Sequence, residues 1–171
     1  MTGPGKLARA EVVESAGAEG VPMSAVTQAQ LALLDARLAD YLKWQPEFAT
    51  LVDRLLAIAG VHVVPPGMPD PHLEQLLGQG QLWEGSAKLV PGTRGRCHEN
   101  TARLYQRNPA RFCVVTGYAL SADSLWRQHS WGYDTAPRSR RRTVETTERR
   151  LRYYGVLLSA AEAEAFAWCN A

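Results

Sequence analysis

The chain has 171 residues and a formal charge of +2, a length that favours one domain able to bury its own core without a disulfide or metal staple. Apolar residues at 46% and charged residues at 21% exclude wholesale disorder, and so small a net charge gives no argument for nucleic acid. Three cysteines, Cys97, Cys113 and Cys169, form no C-x-x-C pair and leave an odd thiol, which reads as reduced cysteines in a cytoplasmic protein. No apolar run approaches the roughly 18 residues that span a bilayer, and the N-terminus lacks the apolar centre of a secretory signal.

Residues 1–24 are rich in Gly, Ala and Glu and poor in large apolar side chains, the composition of a flexible tail. The single domain is expected over 25–171, with a helical part at 25–80 and a catalytic core at 81–171. From Thr27, Leu31, Leu34, Leu38, Tyr41 and Leu42 recur at helical spacing. After Pro46, the apolar positions from Phe48 to Ile58 predict a second helix stopped by Gly60. "VHVV" predicts a short strand, "PPGMPDP" a rigid turn, and "HLEQLLGQGQ" two helical turns ending before Gly78.

The second half changes character. "GRCHENTARLYQRNP" predicts a helix that opens near Cys97 and closes at Asn108-Pro109. "RFCVVTGYAL" is rich in β-branched and aromatic residues and predicts a strand. "SADS" turns into a second strand from Leu125 to Tyr133, "RRRTVETT" supplies a third, and "YYGVLL" a fourth. Ser159 and Glu162 make the S-x-x-E capping box of a last helix reaching about Trp168. The order predicts an α+β domain: N-terminal helices, then a cysteine-bearing helix packed on an antiparallel sheet.

Three side chains on three of these elements carry complementary chemistry. Cys97 sits at a helix start, where free N–H groups and the positive end of the dipole favour thiolate, and Arg94 and Arg96 act in the same sense. The bland alternative is a buried structural thiol, the reading given to Cys113 and Cys169. His129 shares a strand face with Arg127, Trp131 and Tyr133, while Trp126, Gln128 and Ser130 face away. An imidazole half-screened by tryptophan suits a general base, although a hydrogen-bonded core histidine fits the same pattern. His98, directly after Cys97, points elsewhere on the helix. Glu145, on the face of Arg141, Thr143 and Thr147, could accept the proton on the far imidazole nitrogen or simply neutralise an arginine.

The order of Cys97 at a helix start, His129 in "HSW" and an acid in "VETT" resembles papain-like thiol enzymes, and within them the transglutaminase-like branch. The resemblance covers roughly 92–150. It departs in using glutamate where that branch usually has aspartate, and in lacking the proline beside it. It implies a Cys97–His129–Glu145 triad and a thioester intermediate resolved by water or an amine. It also implies an oxyanion donor upstream of the nucleophile, for which Gln81 is the candidate, with Trp83 beside it. Asn100, one turn after Cys97, could line the site or cap a contact.

Arg127 and Arg141 share the faces of His129 and Glu145 and are candidates to hold substrate. The wider basic cluster, Arg138 to Arg152, could collect a carboxylate or phosphate, or could be a solvated face balanced by Glu145 and Glu148. Cys97, His98, Cys113 and His129 lack the short spacing that pre-organises zinc, so no metal or other cofactor is expected. The reading is a thiol-dependent hydrolase or acyl transferase acting on an amide-, ester- or thioester-containing small molecule or peptide, without membrane or nucleic acid. The rival reading is a non-catalytic domain that binds peptide or a small anion through Trp126, Trp131 and the arginines. Thiol reactivity at Cys97 separates the two.

Overall fold

The computed structural model describes residues 26–83, 87–136 and 142–171. The N-terminal tail expected over 1–24, and Arg138, Arg140 and Arg141, lie outside those residues. Among the described residues there are five helices. Helix α1 (Gln28–Leu42) begins at a Thr27–Gln30 capping box and α2 (Phe48–Ile58) ends just before Gly60. α3 (Leu73–Gln79) runs through Gly78 to Gly80, one turn-fraction further than expected, because Leu73 and Leu76 bury against the core and hold it. α4 (Cys97–Arg107) closes at Asn108, and α5 (Ala160–Asn170) opens at the Ser159–Glu162 capping box.

The strands form one mostly antiparallel sheet. Besides β1 (His62–Val63), the described strands are β2 (Gln81–Trp83), β3 (Lys88–Leu89), β4 (Phe112–Leu120), β5 (Leu125–Asp134), β6 (Thr143–Glu145) and β7 (Arg152–Leu157). They lie in the order β2-β7-β4-β5-β6-β3, with β1 also on β5. β4 and β5 pair along their whole length, from Phe112↔Asp134 to Leu120↔Trp126.

The far edge of β5 is divided, and this division creates the site. β1 runs parallel to it at Leu125 and Trp126, and β6 antiparallel at Gly132 and Tyr133. Between them, Arg127 to Trp131 have no strand neighbour on that edge among the described residues. The N-terminal half of α4 lies against this gap, with Thr101 Oγ1 donating to the Ser130 carbonyl at 3.0 Å.

The two faces of the sheet differ. Phe48, Leu51, Leu55 and Leu76 from the helices pack with Val114, Tyr118, Trp126 and Tyr154 in the main core. The opposite face carries a smaller cluster of Ala87, Val115, Ala119, Trp131 and Tyr153, flanked by Trp83 and Tyr133. Among the described residues no helix is long and apolar enough to cross a membrane.

Candidate active site

Cys97 is the first residue of α4, half-buried in the gap beside β5. Arg96 stands at the N-cap and makes no side-chain capping bond, whereas Ser or Asp there would engage the first N–H groups. Hydrogen bonding from the Ser130 and His98 N–H groups favours the Cys97 thiolate. The loop before the helix is fixed at both ends. Val90 N–H donates to the Glu145 carbonyl at 2.8 Å. Asn100 accepts the Thr93 N–H at 3.0 Å and donates to its carbonyl at 2.8 Å. One segment therefore joins the strand of the acid to the helix of the thiol, and Asn100 is the contact that anchors it.

His129 is 2% exposed and Glu145 0%. His129 Nε2 lies 2.7 Å from Glu145 Oε2. Because Nε2 is taken, the hydrogen bond between His129 and Cys97 falls to Nδ1. The Thr146 N–H donates to Glu145 Oε1 at 2.8 Å, so both carboxylate oxygens are engaged.

Charge follows from this packing. Burial pushes the Cys97 thiol up, but the hydrogen bond and charge of His129, helped by the Ser130 and His98 N–H groups, leave it lowered. Burial pushes His129 down, yet its bonds to Cys97 and Glu145 outweigh that and raise it to about 9. Burial likewise works against the Glu145 carboxylate, and His129, the Thr146 N–H and the charge of Arg150 hold it below its ordinary value. A lowered thiol and a raised imidazole favour a thiolate–imidazolium pair at neutral pH.

Aromatic side chains fix the imidazole. Trp131 stacks on His129, with centroids 6.1 Å apart and planes 20° from parallel, and Tyr153 packs on both rings. Tyr153 also donates its hydroxyl to Glu145 Oε2 at 3.2 Å. Glycine makes this possible. Gly117 and Gly155 sit in the same row of the sheet as His129. A Cβ on Gly155 would lie 2.6 Å from Trp131 Cη2, and one on Gly117 would strike the Tyr154 carbonyl.

No family model, curated protein or solved structure matches the chain.

The remaining candidates scatter. His98 faces the other side of the sheet, its Nδ1 2.8 Å from Ser130 Oγ, which donates to Thr116 Oγ1 at 3.0 Å. Gln81 is exposed on β2, three strands from β5, roughly 14 Å at ordinary strand spacing. It does not reach Cys97: loop length does not reveal that β2 joins the sheet through β7. Trp83 spends its indole N–H on the Gly155 carbonyl at 3.1 Å and packs on Trp131 and Tyr133. Arg127 lies beside the site in a two-bonded pair with Asp123, at 2.8 and 2.7 Å. Cys113 is half-buried on β4 and Cys169 exposed on α5. Trp126 and Trp131 are both 0% exposed, so they are core residues and offer no surface to a bound peptide. Among the described residues no group of three His, Cys, Asp or Glu side chains could hold a metal ion.

Sequence reasoning missed Tyr153, and it named Arg150 only as one member of the basic cluster. Tyr153 alternates with Tyr154 on a strand whose two faces look alike in sequence, and only its pairing through β4 aims it at Glu145.

Proposed function

We propose that this chain is a cysteine enzyme of acyl transfer, a hydrolase or transferase of papain-like, transglutaminase-like design working in the cytoplasm. The observation that carries the reading is the buried 2.7 Å contact of Glu145 with His129, the imidazole that lowers the thiol of Cys97 at a helix start. A structural histidine needs no such carboxylate, and a structural cysteine needs no imidazole.

In this mechanism the Cys97 thiolate adds to the carbonyl carbon of an amide, ester or thioester, and the carbonyl π pair moves onto oxygen. N–H groups at the start of α4 face that developing charge. Collapse of the adduct breaks the bond to the leaving group, which takes its proton from His129. The acyl group is now a thioester on Cys97. His129, neutral, removes a proton from water or an acceptor amine as it attacks, and the second collapse returns the thiolate. Glu145 orients the ring throughout and stabilises its cationic form.

Alkylation tests the reading. Cys169 is exposed and Cys97 only half-buried, so exposure alone predicts faster labelling of Cys169. The triad predicts the reverse: iodoacetamide modifies Cys97 first, with a rate that titrates below the value of an ordinary thiol. Mass spectrometry finding Cys97 no faster than Cys169 at neutral pH would end the assignment.

A further inference from the structure

Next to the triad lies an open cavity of about 420 Å³. Each triad member has a neighbour two positions away in its wall: Gly95 before Cys97, Arg127 before His129 on the same strand face, and Thr147 after Glu145. The cavity therefore flanks the reacting centre on three sides of its own scaffold. A group bound there would be held close to a carbonyl at Cys97.

Its charge is unbalanced. Arg94, Arg127 and Arg150 line it against two carboxylates, Asp123 and Glu148. Arg127 is held by a bidentate pair with Asp123, which neutralises its charge. Arg150 gives one nitrogen, Nη1, to Glu148 at 2.8 Å and to Ser121 Oγ at 3.0 Å, while its Nε is buried with no hydrogen-bond partner among the described residues. Glu148 is 59% exposed, where an ion pair contributes little. Arg94 is exposed and has no ion pair among the described residues. Three guanidiniums against two carboxylates leave one positive charge, which suits a monoanion better than a phosphate dianion. A guanidinium with a free N–H edge suits the planar fork of a carboxylate.

We propose that this cavity is the specificity pocket of the site and that it selects substrates bearing a carboxylate close to the scissile carbonyl. The proposal rests on the triad reading. The carboxylate could belong to an acidic side chain or to a chain end, and the chemistry of capture is the same for both.

Three electrophiles separate these cases: N-chloroacetyl-glutamine amide, which is neutral; N-chloroacetyl-glutamate α-amide, with a side-chain carboxylate; and N-chloroacetyl-glutamine, with an α-carboxylate. Their second-order rates at Cys97 are read by mass spectrometry on the full chain. At least one monoanion should react about tenfold faster than the neutral reagent, as a charge-assisted contact warrants, with the advantage shrinking at high salt. Which monoanion wins names the source. Arg94→Gln should erase most of the ratio of charged to neutral rates, and Arg152→Gln, an exposed arginine outside the cavity, should leave that ratio intact. If both monoanions react no faster than the neutral reagent while that reagent still labels Cys97 selectively, the pocket assignment fails and the triad stands. If the neutral reagent shows no preference for Cys97 over Cys169, both fall together.

Discussion

β5 carries two histidine networks back to back, and their difference is instructive. Cys97 and His98 are consecutive on α4, and His129 and Ser130 consecutive on β5. Alternation sends Cys97, His129 and Glu145 to one face and His98, Ser130 and Thr116 to the other. Both imidazoles are desolvated. On the hydroxyl side burial, followed by the positive charge of His129, pushes His98 below its ordinary value. On the carboxylate side the same burial is overcome and His129 rises to about 9. Desolvation is common to the two, so the anions decide which ring carries the proton.

The largest way to break this contrast is to remove the anion. Glu145→Gln should lower turnover of the best acyl donor by about 10³–10⁴-fold, the loss expected when a triad loses its orienting member. His98→Gln, on the hydroxyl side, should lose about 1 kcal/mol of stability as a hydrogen bond weakens and change turnover only a few-fold. Steady-state kinetics and denaturant melts of the two variants check this. Comparable catalytic losses would mean that the faces are not functionally distinct.

The pH dependence of stability follows next. His129 binds its proton more tightly folded than unfolded, so its contribution is complete below its ordinary value of 6.5 and is lost as pH rises through about 9. Glu145 is lowered, so its contribution is present above its ordinary value of 4.5 and lost as pH falls through its folded value. Cys97 is lowered, so its contribution grows as pH rises toward its ordinary value of 9.0 and opposes the loss at His129. Melting temperature should therefore stay nearly level from pH 6.5 to about 9 while the thiolate–imidazolium pair is intact, and Cys97→Ala should uncover a decline with rising pH. Adding Glu145→Gln to Cys97→Ala should flatten that decline, since the carboxylate is the remaining support of the raised imidazole. A steep decline across the window in the unmodified chain, or a level melt in Cys97→Ala, would contradict the ion pair.

Packing sharpens the comparison from a third side. Gly155→Ala places a methyl against Trp131 Cη2 and the Thr116 carbonyl. Overpacking of this kind costs about 1–3 kcal/mol. Its effect should reach the triad, because the displaced indole is the one stacked on His129. The His98 resonances should move less than those of His129 in NMR spectra of the variant. Equal movement would mean that the sheet deforms as a whole.

What the sequence displayed of all this has a physical pattern. Elements marked by local chemistry were legible: the Ser159–Glu162 box, Gly60 after α2, and Asn108-Pro109 after α4. Cys97 could be placed because its helix closes at such a signal, and His129 because its strand is long enough to show alternation. Long-range pairing was not legible. β2 and β3 have three and two residues, too short to show a period, and the parallel registers of β1 on β5 and β3 on β6 join distant segments. Gln81 was misplaced for that reason, since its strand enters the sheet beyond β7. Tyr153 was invisible for the same reason: its role exists only once β7 is docked on β4.

Tyr153 supplies the finest test of the carboxylate side. Its hydroxyl donates to Glu145 Oε2 at 3.2 Å, the same oxygen that receives His129 Nε2 at 2.7 Å, while accepting the Arg150 N–H at 3.1 Å. Burial and the neighbouring Glu145 charge push the phenol well above its ordinary value, so it stays a donor. Tyr153→Phe keeps the ring on Trp131 and removes the hydroxyl, both as donor to Glu145 and as acceptor of the Arg150 N–H. With one hydrogen bond fewer, the carboxylate becomes the stronger acceptor and holds the imidazolium proton more tightly. The fall in activity as pH rises through about 9 should then move to higher pH, with turnover at neutral pH reduced about tenfold or less. Glu145→Gln removes the negative charge and should move the same limb to lower pH. Two variants at one oxygen shift one titration in opposite directions, which a purely structural tyrosine would not produce. If Tyr153→Phe moves the limb downward instead, its hydroxyl is not competing with His129 for the carboxylate, and its place in the triad's support is wrong.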